Sequence, residues 1–155
     1  MYHLLVRVIA QRVSNASVIV KGDRVGQIGY GLLLLVGFTN YDTVEDIIWI
    51  TKKVVNLRIF DDEFQKMNFS LKEVAGDILL ISQFTLFAST KKGNRPSFIA
   101  SAKSDKAKDL YLKTIIEIEK VLEKPMQTGV FGARMQVSLT NTGPTTIIID
   151  SKNKE

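Results

Sequence analysis

The sequence contains no cysteine, and that absence alone excludes disulfides, thiolate metal sites and a cysteine nucleophile. It also fits a cytoplasmic setting. Histidine is nearly as scarce: His3 is the sole example, so a histidine-based zinc site or a Ser-His-Asp triad is very hard to assemble within one protomer. His3 itself reads as a strand residue, because the special roles of imidazole need partners. No apolar run approaches the roughly 20 residues of a membrane span. The segment from Met1 to Val6 alternates like a strand and lacks the basic stretch, apolar core and small-residue cleavage site of a signal peptide, so a cytoplasmic location is expected. Neither a Walker loop nor a Gly-x-Gly-x-x-Gly fingerprint occurs, which closes most routes to phosphoryl chemistry and dinucleotide binding.

What is present suits one globular domain. The 155 residues can bury a sizeable core but not two ordinary ones. A single domain over 1–150 with a loose tail over 151–155 is expected. The net charge of +5 makes a polyanionic partner reasonable, yet no basic low-complexity arm accompanies it, so charge by itself raises the case for nucleic acid only modestly.

Apolar patterning predicts the elements. Leu4 to Val13 and Ala16 to Val20 alternate as strands, Lys21-Gly22-Asp23 forms a turn, and Arg24 to Ile28 returns as the other arm of a hairpin. Leu32 to Val36 is apolar at every position, as in a central strand buried on both faces. Asp42 and Glu45 resemble a capping box for a first helix from about Thr43 to Asn56, whose stripe is Val44, Ile47, Ile48, Thr51, Val54 and Val55. Asp61-Asp62-Glu63 reads as a solvated loop rather than a metal site. Ile78 to Phe87 predicts a second strongly apolar strand, and Ser104 a cap for a second helix carrying Ala107, Leu110, Tyr111, Thr114, Ile115, Ile118, Val121 and Leu122. Strands over Gln127 to Phe131, Met135 to Leu139 and Thr145 to Asp150 close the chain, broken by Asn141-Thr142-Gly143-Pro144. Two helices cannot cover both faces of a parallel sheet. The expected class is therefore α+β: mixed or antiparallel strands in a barrel-like or two-sheet core, with both main helices on one side.

Few residues offer chemistry. Ser82 and Thr85 carry hydroxyls, but a hydroxyl is a weak nucleophile without an activating base, and none is evident nearby. Strand-end hydrogen bonding would explain both. Gly143-Pro144 lies in an otherwise apolar terminal segment, where proline removes a ladder donor and so belongs at an edge, a bulge or a turn. A simple turn would satisfy that pattern.

Two strings are more specific. Ser82-Gln83-Phe84-Thr85-Leu86 and Asn141-Thr142-Gly143-Pro144-Thr145-Thr146 resemble, without departure, the two signature motifs of the D-aminoacyl-tRNA deacylases. The likeness extends through Gln11-Arg12-Val13, Asn56 to Phe60, Lys92 to Phe98 and Phe131 to Val137, which is nearly the whole chain. Two motifs whose first residues lie 59 positions apart, in the family's order and with matching flanks, are far more specific than either string alone.

The resemblance implies hydrolysis of the ester of D-aminoacyl-tRNA, and of glycyl-tRNA mischarged on the alanine tRNA, by a homodimer that needs no cofactor or metal. Each pocket would be completed by the partner subunit's Gly-Pro dipeptide in cis form, the carbonyls of Gly143 and Pro144 accepting the substrate's α-amino group while main chain leaves no room for an L side chain. Ser82, Gln83, Phe84 and Thr85 would line the pocket, with the Phe84 and Thr85 amides donating to the developing oxyanion. A nucleophilic Thr85 has been the family's proposal; the missing base favours positioning. Phe131 and Met135 would hold the adenine, Arg7 would brace the Gly-Pro turn, and Lys91, Lys92 and Arg95 would meet tRNA phosphates. Two other readings compete: an animal-type paralogue with a trans Gly-Pro that removes an L-amino acid, whose motif residues differ from these, and a non-catalytic nucleic-acid-binding module, against which the paired motifs weigh.

Overall fold

A computed structural model describes residues 6–154. Strand β1 (Arg7–Val20) runs without interruption through the region where two strands were expected. Lys21 and Gly22, both at positive φ, make the tight turn into β2 (Asp23–Ile28), and the chain continues into β3 (Gly31–Gly37). β2 and β3 pair with β1 on one register line from Val18 opposite Gly26 to Arg7 opposite Gly37, and an irregularity between Val18 and Ile19 shifts the last pairs, Ile19 with Arg24 and Val20 with Asp23. Helix α1 (Val44–Asn56) follows, then a small hairpin of β4 (Phe60–Asp61) and β5 (Met67–Phe69). β6 (Asp77–Ser82) lies parallel to β3, helix α2 (Ser104–Leu122) returns the chain, and β7 (Gln127–Thr128) adds to β6. Last comes β8 (Gln136–Asp150), antiparallel to β1 along its other edge.

The main sheet has the order β2-β1-β3-β6-β7, with β8 added on β1. It curls until β7 approaches β2: a Cβ on Gly26 would lie 2.8 Å from the Thr128 carbonyl. The result is α+β, a nearly closed mixed barrel with two helices. Alternation along β3 explains its layers. Leu32, Leu34 and Val36 face α1 and α2 in the larger core, and Leu33 joins Val13, Val18, Leu79 and Ile81 inside the barrel. That fully apolar run therefore occupies a central strand, as expected. No helix among the described residues is long and apolar enough to cross a membrane.

Several local expectations change. The first helix starts one residue later than the Asp42/Glu45 box implied: Thr43 is the N-cap, and Asp46 accepts from its amide (2.9 Å) and its hydroxyl (3.1 Å). Asp42 instead turns back to accept from the Thr39 amide, and burial, helped by the nearby Asp46 charge, pushes its carboxyl up to about 6. Lys103, not Ser104, is the N-cap of α2; no side chain caps the first turn, and the Asn40 side chain accepts from the Lys103 amide, fixing the chain where it enters the helix. The strand expected to reach Phe87 ends at Ser82; Phe84–Phe87 is a turn of 3-10 helix. Of the strand expected over Gln127 to Phe131, only Gln127 and Thr128 pair. Conversely, Gly143-Pro144 does not break the last strand. β8 passes through it by shifting register on β1 between Gln11 and Asn15, so the missing proline donor falls at an irregularity in the ladder. The tail is not loose at its root: Ser151 is buried and exchanges hydrogen bonds with the Val6 backbone, and Lys152 reaches Asp46 at 3.4 Å. His3 lies outside the described residues.

Candidate active site

The first motif sits where β6 stops. The Gln83 amide donates to the Val36 carbonyl (2.7 Å), the last main-chain bond from this strand to β3. The chain then tightens, with Leu86 and Ala88 donating to the carbonyls of Gln83 and Thr85. The amides of Phe84 and Thr85 open this turn, and the first amides of a helical turn have no acceptor within it. The Gln83 side-chain amide donates to the Thr85 hydroxyl, while Ser101 holds the Phe84 carbonyl at 2.9 Å. Phe84 is 56% exposed and packs edge-on against Phe98.

Beside this turn lies a cleft of about 570 Å³. Ser82, Gln83 and Phe84 form one wall, and Phe131, Gly132, Ala133 and Met135 form the opposite one. Phe131 leans on Tyr111, a ring whose hydroxyl donates to the Leu80 carbonyl and whose burial pushes its pKa up to about 12. Met135 is held over Gly129, where an added Cβ would fall 2.5 Å from its sulfur. The cleft lining contains no acid, base or other titratable side chain. It can therefore offer shape, apolar surface, three serine hydroxyls at Ser82, Ser101 and Ser104, and main-chain donors, but no titratable base of its own.

The second motif stands elsewhere. Gly143 and Pro144 are exposed, the bond between them is cis, and neither lines the cleft. Gly143 has φ +128, and a Cβ there would meet the Thr145 hydroxyl at 2.7 Å and the Arg12 guanidinium at 2.8 Å, so glycine is required twice over. Asn141 braces the turn by accepting from the Thr145 amide at 3.0 Å.

Arg12 is the residue that reading the sequence missed. Only 5% exposed, it donates to the carbonyls of Thr142 (3.0 Å) and Ile59 (2.8 Å) and pairs with Asp61 at 3.1 Å. It ties the Gly-Pro segment to the β4–β5 hairpin. The signal was an arginine at a position that alternation assigns to the barrel wall. Arg7 occupies a different place within the protomer. It pairs with Asp150 (2.9 Å), donates to the Leu86 carbonyl at the end of the first motif (2.9 Å) and lies over the Phe87 ring. Lys91, Lys92 and Arg95 are exposed on a loop closed by two main-chain bonds between Ser89 and Ser97, outside the cleft lining.

A nearly closed barrel with two helices on one side thus carries a cleft of hydroxyls and main-chain amides whose lining holds no titratable side chain. Comparison makes the class specific. The family model described as D-Tyr-tRNA(Tyr) deacylase matches residues 9–150. Among curated relatives, the D-aminoacyl-tRNA deacylase of Flavobacterium johnsoniae is 55% identical over 149 residues, covering 96% of this chain and 99% of the relative. That of Fusobacterium nucleatum is 53% identical, covering 95% and 97%. Among solved structures, a c-Myc DNA unwinding element binding protein superposes with a TM-score of 0.86 at 36% identity, covering 92% of this chain and 97% of that one. A probable eukaryotic D-amino acid tRNA deacylase shares the fold, with a TM-score of 0.83 at 19% identity over 94% and 99% of the two chains. The chain belongs to the D-Tyr-tRNA(Tyr) deacylase family.

Proposed function

We propose that this chain hydrolyses the ester joining a D-amino acid to the terminal ribose of tRNA, releasing the free amino acid and the tRNA, and that it does so without a protein base. The carrying observation is the cleft whose lining holds no titratable side chain. An aminoacyl ester is already activated, and the neighbouring ribose 2′-hydroxyl can both donate and accept. Water adds to the carbonyl carbon, the bond to the ribose oxygen breaks, and that oxygen leaves with a proton from the water. The Phe84 and Thr85 amides donate to the oxyanion, Ser82 and Gln83 shape the wall, and the exposed Thr85 hydroxyl, engaged by Gln83, positions rather than attacks. Phe131 and Met135 take the adenine between an aromatic face and a thioether.

The working unit in this reading is a homodimer. Gly143 and Pro144 lie apart from their own cleft, whereas Arg7 is tied to the end of the first motif. Six residue steps along β8 lead from Pro144 to Asp150, the strand partner of Arg7, a span of roughly 20 Å. A second copy supplies the missing wall: the partner's main chain enters the cleft, its two carbonyls accept the α-amino group, Arg7 braces it from the receiving side, and an L side chain meets backbone. Glycine has nothing to exclude, so glycyl-tRNA, including that mischarged on the alanine tRNA, is also hydrolysed. Lys91, Lys92 and Arg95 approach more distant phosphates of the RNA.

Time courses of hydrolysis on matched D-aminoacyl, L-aminoacyl and glycyl-tRNA test this reading. Turnover of the D and glycyl esters with the L ester spared is expected. Preference for the L ester, or tight binding of tRNA or DNA with no turnover of any ester, would overturn it.

A further inference from the structure

We infer that Lys21 and Arg134 form a phosphate-binding extension of the cleft, one that takes the backbone phosphate leading into the aminoacylated nucleoside. The inference rests on the cleft being the site for the tRNA end. Its geometry comes from the β1–β8 ladder, whose final pair is Ile19 opposite Gln136. Continuing the antiparallel count by two residues beyond that pair sets Lys21 across from Arg134. The tight turn at Lys21-Gly22, with φ of 51 and 83, carries the lysine to the rim instead of into the barrel. On the facing side, Gly132 is also at positive φ, and Ala133 closes its turn by donating to the Val130 carbonyl.

A second cavity of about 760 Å³ opens between these turns, lined by Lys21 and Arg134 together with Gly22 and Gly132. It shares Phe131, Gly132, Ala133 and Met135 with the first cleft, so the two spaces meet at the wall assigned to adenine. An RNA end bound there leads directly to the two cations. Among the described residues neither cation forms a salt bridge, not even Lys21 with the adjacent acid Asp23. Two positive groups set on facing turns without an acid between them repel each other, and an anion in the gap relieves that repulsion. Arginine supplies a flat fork suited to phosphate oxygens, and lysine a mobile point charge. The glycines leave the rim free of side chains where a sugar-phosphate chain would cross. Lys91, Lys92 and Arg95 line neither space, so the first phosphate contact falls to the pair on this side.

Two esters that differ only in the presence of phosphates test the idea: D-tyrosyl-tRNA and 2′(3′)-O-D-tyrosyl-adenosine. Both cations are exposed, so a Lys21→Ala/Arg134→Ala double variant should fold normally. It is expected to show KM for the tRNA ester raised about ten-fold with kcat retained, and a salt slope of log KM reduced by about 0.7, the contribution of one single-strand phosphate contact. With the adenosine ester it should match the parent. Equal kinetics on the tRNA ester at every salt concentration would overturn the proposal, as would an equal loss on both esters, which would mean that the pair acts on the cleft itself. Binding of uncharged tRNA, read by filter retention against salt, supplies a measure independent of hydrolysis. Should the parent cleave neither ester, the enzymatic reading fails, while weaker and less salt-dependent tRNA binding by the double variant would still support the phosphate site and unchanged binding would refute it.

Discussion

The two motif segments behave oppositely. Ser82 to Leu86 grows out of the buried β3–β6 pair and is fixed to β3 by the Gln83 amide; Ser82, Gln83 and Phe84 line the cleft of their own protomer, while Thr85 and Leu86 do not. Gly143-Pro144 lies exposed on β8, held by one buried guanidinium and one asparagine, and lines no part of that cleft. In the proposed reading one segment serves its own protomer and the other serves the partner, so that rigid main chain meets the substrate from the side facing the apolar wall.

The largest effect should come from the second segment. Gly143→Ala forces a methyl group between Arg12 and Thr145, and a displacement of about 1 Å in a positioning element can cost about 100-fold in rate. We expect at least that loss in kcat/KM with an unchanged circular dichroism spectrum. Mixing this variant with Ala133→Trp, which fills the cleft, should restore about a quarter of the activity, because each mixed dimer keeps one site free of both lesions. No recovery on mixing would mean that the two segments do not meet across subunits. Next comes Arg12→Ala, which strips a buried partner from the Thr142 and Ile59 carbonyls and from Asp61. A stability loss of about 2–4 kcal/mol in urea titration is expected. If the Gly-Pro segment depends on this clamp, selectivity for D over L esters should fall further than kcat on the glycyl ester. The smallest change should be Thr85→Ala, retaining activity to within about ten-fold, since loss of a true nucleophile costs several orders of magnitude. Complete loss of turnover with substrate binding intact would assign Thr85 a covalent role.

Much of the barrel could be read from pattern. Leu32 to Val36 announced a two-faced strand, and the spacing from Ala107 to Leu122 announced the buried face of α2. Misreadings gathered where long-range bonds replace local ones. Phe84, Leu86 and Phe87 prolong an apolar run, yet the ladder ends at Gln83, and apolarity cannot distinguish an extended segment from a 3-10 turn that buries Phe87. Pro144 suggested a break because proline lacks a donor, but a register shift against β1 absorbs that lack and leaves one strand of 15 residues. Asn40, distant in sequence, anchors the Lys103 amide and the helix begins at Ser104 itself, so the serine expected as the cap lies inside the first turn. Of the residues read from the sequence, Ser82, Gln83, Phe84, Phe131 and Met135 line one cleft and Thr85 does not, while Arg12 went unread because its partners Ile59, Asp61 and Thr142 come together only in three dimensions.

The pairing of the first described strand with the last has a temporal consequence. Arg7 meets Asp150, and the Val6 amide donates to the Ser151 hydroxyl across 145 positions of chain. Contacts this remote require the intervening polypeptide to be looped before they yield any stabilisation, which slows acquisition of the native topology. A growing chain on the ribosome therefore has an unpatched β1 edge until β8 has emerged. Gly143-Pro144 rides on the same strand, so the segment that in the proposed reading judges handedness takes its place only when the β1 edge is closed.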